Sequence, residues 1–162
     1  MLPDKGRILE SIRTQLKTEI DAMLQAARAA HEAATHEESK AEDSHDTQSI
    51  EAGYLAGAQA QRAIDAQAVL ELFSRMESRP YKADEPAGAG ALVELESEDG
   101  KISVYLLASL GGGLNVRCDG TLVQVVTALS PLGEELFGRR SGESFEIDQR
   151  GETREWEIKK IV

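Results

Sequence analysis

The sequence predicts an α+β protein with two parts: an N-terminal antiparallel coiled-coil helical hairpin and a C-terminal antiparallel sheet domain carrying one short helix. Three observations carry this. Up to about residue 78 the chain is rich in Ala, Glu, Gln and Arg, and its apolar residues recur at spacings of three and four. From about residue 88 it turns to alternating apolar and polar residues broken by glycine turns. Between them, Pro80, Pro86 and a cluster of glycines mark a linker at 79–87.

The first helix is expected from about Asp4, its capping residue, to about Thr35. Its stripe is Leu9, Ile12, Leu16, Ile20, Met23, Ala27, Ala30 and Ala34. The second is expected from about Thr47 to Met76. Its bulky residues gather late, at Val69, Leu70, Leu72, Phe73 and Met76; Ala52, Gly53, Ala56, Gly57, Ala58 and Ala60 come early. A polar joint at about 36–47 favours folding back into a hairpin, with a thin tip where small residues let the backbones approach. The alternative is one continuous helix through 36–46 in a dimeric coiled coil; a monomer is expected from the hairpin.

In 88–162, four or five antiparallel strands are expected from ALVELES, KISVYLLAS, LNVRC, LVQVVTAL, SFEID and REWEIKKI. Asp99-Gly100 and Cys118-Asp119-Gly120 read as hairpin turns. Ser130 caps a two-turn helix that has Pro131 at its first position and ends at Gly138.

The net charge of -11 disfavours nucleic acid and anionic lipid as direct partners and excludes a basic DNA-reading face. Seven aromatic residues (three Phe, three Tyr, one Trp) are too few for a large core, so part of the chain is expected to be extended. A single cysteine, Cys118, allows no internal disulfide and no Cys/His zinc cluster, and reads as a small strand residue. No stretch resembles a signal peptide or a membrane span, so a cytoplasmic protein is expected. Gly111-Gly112-Gly113 lacks the Lys-Ser/Thr of a phosphate loop and reads as a strand connection.

The chemically suggestive stretch is EDSHDT, 42–47, where Glu42, Asp43 and Asp46 crowd around His45. Residue types alone favour a solvated turn with an N-cap Asp. His36 and His45, nine apart, match no recognised ligand spacing and are expected to be plain exposed histidines, as is His31.

The run TALSPLGEELFGRRSGESFEI, with G…REWEIKKI after it, resembles the C-terminal domain of the bacterial transcript cleavage factors GreA and GreB. Ser130, Pro131, Leu132, Gly133, Leu136, Gly138, Arg139, Gly142 and Glu143 carry the likeness, which covers about 88–162. The hairpin resembles the N-terminal coiled coil of that family. The resemblance implies an FK506-binding-protein-like (FKBP-like) fold for the sheet domain. It implies a transcription elongation factor that enters the secondary channel of RNA polymerase and stimulates cleavage of backtracked RNA. The partners implied are the polymerase and, indirectly, the 3′ end of the nascent RNA.

In that family the tip acids help hold a Mg²⁺ ion of the polymerase, and the factor binds no cofactor alone. Lined up with the family tip, the two acids fall on Asp43 and Asp46, with Glu42 as a weaker third. Arg139 and Arg140 are then candidate polymerase contacts. The nuclease is the polymerase's own, so the chain is an accessory factor and not an enzyme. Anti-cleavage relatives of Gre share the two-domain plan, and an Asp-x-x-Asp tip is similar to that of DksA-type regulators of initiation, which leaves open a non-cleaving regulator of the same channel. An isomerase or chaperone role for the sheet domain is disfavoured by its few aromatics.

Overall fold

The computed structural model describes residues 2–38, 47–82, 84–149 and 151–162. The chain divides into two compact units: Arg13–Ser74, and a second built from Met1–Ile12 with Arg75–Val162.

The first unit is made of two helices, the greater part of α1 (Lys5–Glu38) and α2 (Thr47–Arg75). In α1 the stripe expected from the sequence is the face that is covered. Leu16, Ile20 and Ala34 are buried and Met23, Ala27 and Ala30 half-buried, while most residues between them are exposed. Bulk at three- and four-residue steps stacks on one side of a helix with 3.6 residues per turn. In α2 the covered face is Ala56, Ala60, Ala63, Ala66, Leu70 and Phe73. The Arg13 side chain donates from Nε to the Phe73 carbonyl at 2.9 Å. That bond sets the near end of α1 beside the far end of α2, so the helices are antiparallel. A continuous helix would hold those residues about 90 Å apart at 1.5 Å per residue.

One expectation about this pair needs correction. Gly53, Gly57 and Ala58 are exposed, and a Cβ built on either glycine would meet nothing within 4 Å. The seam is lined by alanines, and the glycines do not serve close backbone approach.

The second unit is a six-stranded sheet with one short helix. The strands are β1 (Leu92–Ser97), β2 (Ile102–Leu107), β3 (Asn115–Cys118), β4 (Thr121–Val126), β5 (Ser144–Gln149) and β6 (Glu152–Ile161). The helix α3, Pro131–Leu136, lies between β4 and β5. Both expected glycine turns form. Gly100 has φ +77°, and Asp119 and Gly120 both have positive φ, the geometry of a primed turn that suits strand twist.

The sheet order is β3-β4-β2-β1-β6-β5. All pairings are antiparallel except one: β2 and β4 run parallel, with Val104 opposite Val123 and Leu106 opposite Val125. The sheet is therefore mixed and six-stranded, where four or five antiparallel strands were expected. After β2 the chain passes one strand position, returns as β3 at the edge, and fills the gap with β4. The hairpin β3–β4 has the same local pattern whichever of its strands lies inside.

One face of the sheet forms a core of Val93, Leu95, Leu107, Val126, Phe145 and Trp156, with Leu136 of α3 among them. The first turns of α1 belong to this unit. Asp4 caps α1, accepting from the Arg7 N–H at 2.9 Å. Ile8, Leu9 and Ile12 are almost wholly buried, and Arg7 pairs with Asp119 at 2.7 Å.

Candidate functional site

The tip acids predicted from the sequence, Glu42, Asp43 and Asp46, lie outside the described residues, as does His45. The structure describes what leads up to them. α1 ends at Glu38 and α2 begins at Thr47. His36 lies in the last turn of α1. Among the described residues, no group of three or more His, Cys, Asp or Glu side chains is placed to hold a metal ion. The carboxylates of 42–46 are hard oxygen donors of the kind Mg²⁺ accepts, and no described cluster adds to them.

The helix behind the tip carries a feature that sequence reading missed. Ile50, Tyr54 and Ile64 are 60%, 82% and 63% exposed, and Leu55 is exposed as well. These are the bulky residues in a stretch otherwise dominated by Ala, Gly and Gln. The signal was present: none of them falls on the 56-60-63-66-70-73 stripe.

In the sheet domain, the segment 130–143 is held together by its own side chains and backbone. The Ser130 hydroxyl accepts from the Gly133 N–H at 3.1 Å and donates to the Thr127 carbonyl at 2.9 Å. A Cβ at Gly133 would overlap the Thr127 carbonyl, so glycine is required there. Gly138 and Gly142 both have φ +88°, and their N–H groups donate to the carbonyls of Ala87 and Ile158 at 2.8 and 2.7 Å. Glu143 accepts from the Arg140 N–H at 2.9 Å. Ser130, Gly133, Gly138, Gly142 and Glu143 thus each have a structural task.

Arg139 and Arg140, the candidate polymerase contacts, are both engaged within the domain. Arg139 pairs with Glu135 and lies over the Phe145 ring at 5.2 Å; Arg140 donates from Nε to the Asp84 carbonyl at 2.9 Å.

Beside the start of α3 is an open cleft of about 550 Å³ whose lining includes Tyr105, Gly112, Thr127, Leu129, Pro131 and Ile147. Leu129 at its mouth is 96% exposed. Tyr105 is the one aromatic side chain in the lining, and burial raises its pKa. Such a lining is a poor aromatic box for proline. Gly113 has φ +90° and donates to the Val125 carbonyl at 2.9 Å, as a strand connection should. Cys118 is buried in β3, and burial, with Asp119 beside it, pushes its thiol pKa up, away from thiolate chemistry.

At the linker, Arg79 reaches the Glu85 carboxylate with two guanidinium nitrogens and stacks 4.2 Å over the Tyr81 ring. The Arg79 hydrogen bonds hold the Glu85 carboxyl down at about 2. Lys5 approaches the same ring at 4.9 Å, and burial lowers its pKa. No helix among the described residues is long and apolar enough to cross a membrane.

No protein-family model matches the chain, and no curated protein does. Among solved structures, the chain is similar to GreA factor homolog 1 (Gfh1) of Thermus thermophilus, at 24% identity over 95% of this chain and 94% of that one, with a TM-score of 0.39. It is similar to Gfh1 of Thermus aquaticus at 22% identity over 99% and 96%, with a TM-score of 0.41. It is also similar to a prokaryotic transcription elongation factor GreA/GreB from Nitrosomonas europaea, at 17% identity over 60% and 78%, with a TM-score of 0.38.

Proposed function

We propose that this chain is an accessory factor of bacterial RNA polymerase, entering the secondary channel tip first and stimulating cleavage of backtracked RNA. The observation that carries the reading is the pairing, in one chain, of two features. One is an antiparallel helix pair whose two helices are joined in sequence by a stretch that includes the acidic run 42–47. The other is a sheet domain whose Ser130–Glu143 segment follows the cleavage-factor pattern residue by residue. Helices of 34 and 29 residues reach roughly 45–50 Å at 1.5 Å per residue, long enough to carry a tip deep into a channel.

Asp43 and Asp46, with Glu42 as a weaker third, would supply carboxylates to a Mg²⁺ ion shared with the polymerase. When bound, that ion would be one of a pair whose chemistry is to activate water and to stabilise the leaving oxygen. The chain's own contribution is negative charge delivered on a thin, stiff support.

A non-cleaving occupant of the same channel is the second reading. It is favoured by Asp46, whose side chain is one methylene shorter than the Glu of the cleavage-factor tip.

The test is transcript shortening in backtracked elongation complexes. Prompt shortening, lost in Asp43→Ala/Asp46→Ala, supports the first reading. Channel occupancy without shortening, or an effect only at promoters, supports the second. Absence of polymerase binding overturns both.

A further inference from the structure

We propose that Glu146 and Asp148 are charge guards on the free edge of β5, holding off strand pairing with a second copy of this chain. The sheet ends in two edges, β3 and β5. β3 has four residues and offers little to pair with. β5 has six, with no proline, in unbroken register with β6 from Ser144 opposite Glu157 to Gln149 opposite Glu152. Backbone groups alternate in direction along an antiparallel ladder. The Ile158 N–H donates to the Glu143 carbonyl at 2.9 Å, so Phe145 and Ile147 also bond toward β6. Ser144, Glu146 and Asp148 therefore turn their N–H and C=O groups outward. Their side chains are exposed, while Phe145 and Ile147 are buried in the core.

Register decides what this edge does to a second copy. A self-pair must keep Phe145 and Ile147 on the core side, so even-numbered positions must oppose even-numbered ones. Centred on Glu146, an antiparallel self-pair sets Glu146 against Glu146 of the second copy, and Ser144 against Asp148. Centred on Ile147, it sets Glu146 against Asp148 twice. Either way, carboxylates meet at the pairs that would exchange the new hydrogen bonds, and like charges directly opposite are destabilising. β6 deepens the field, because Glu155 lies opposite Glu146. The nearby cations go to other acids: Lys159 to Glu96 and Glu157 at 3.2 and 3.1 Å, and Arg154 to Glu152 at 3.2 Å. The Thr153 hydroxyl donates to Asp148, which orients that carboxylate without neutralising it. The sheet thus carries a like-charge cross-strand pair that its own stability does not favour. Protection of an open edge accounts for it.

The experiment is sedimentation velocity over a concentration series. Glu146→Gln/Asp148→Asn keeps shape and removes charge; it should dimerise about 100-fold more tightly than wild type. Glu146→Pro/Asp148→Asn is equally neutral but lacks one outward N–H, and it should associate no more than wild type. Glu146→Lys/Asp148→Lys should be monomeric alone and form a mixed dimer with wild type. Trp156 lies opposite Phe145, so its fluorescence reports whether β5 still pairs with β6 in each variant. A folded neutral variant no more associated than wild type overturns the guard. So does a proline variant that dimerises as well as the neutral one, because the contact then lies elsewhere. If the neutral variant misfolds, the mixed dimer carries the test, and its absence overturns the guard.

Discussion

The Lys5 ammonium donates to the carbonyl of Gly90 at 3.0 Å, across 85 residues of sequence, and to the carbonyl of Val162 at 2.9 Å. It thereby ties the first turn of α1 to the chain just before β1 and to the C-terminal residue. A buried carbonyl deprived of its donor is costly; this applies to Gly90, because the Val162 carbonyl also accepts from the Leu92 N–H at 2.9 Å. Lys5→Met keeps the aliphatic stem and removes both bonds. It should destabilise the sheet unit by about 1–3 kcal/mol in urea titration followed on Trp156, the single tryptophan, which is buried against the core.

Ser130 and Gly133 should separate capping from steric need. Ser130→Ala removes a side-chain cap and should cost about 1 kcal/mol. Gly133→Ala drives a methyl into the Thr127 carbonyl and should cost more, about 1–3 kcal/mol, as α3 shifts to make room. Equal losses in urea titration would contradict this account of the segment.

Phe73 is fully buried on α2, and its carbonyl accepts from Arg13. Phe73→Ala should destabilise the helix pair by about 3–5 kcal/mol, read as a lower thermal midpoint in far-UV circular dichroism. Arg13 would keep its carbonyl partner, so the loss reports packing alone.

Gly57 offers the opposite sign. A Cβ there meets open space within a helix, so Gly57→Ala should stabilise the pair by about 0.5–1 kcal/mol in the same thermal measurement. A destabilised variant would mean that Gly57 is in close contact after all.

Glu85 predicts a pH dependence. Its folded pKa, about 2, is depressed below the ordinary 4.5 by the Arg79 hydrogen bonds. The folded state therefore binds fewer protons between those values. The contribution is complete above pH 4.5 and is lost as pH falls toward 2. Glu85→Gln should flatten that part of the acid-stability curve and leave the slope above pH 5 unchanged, measured by urea midpoints across the range.

Local chemistry was enough for the elements themselves. Leu16, Ile20, Met23 and Ala34 announce the covered face of α1 because a fixed helical period turns spacing into position. Asp119-Gly120 and Ser130-Pro131 announce their turn and cap because those backbone shapes suit few residue types.

Tertiary structure decided what depends on surfaces meeting. The parallel pairing of β2 with β4 is a choice between neighbours that both satisfy the same alternating pattern. Lys5 reads as an ordinary surface lysine until Gly90 and Val162, far along the chain, close over it. Ile50, Tyr54 and Ile64 read as helix filler until the seam is seen to run along the alanines. Periodicity records which residues share a face. Only packing shows which face is covered, because burial belongs to pairs of surfaces and not to one helix.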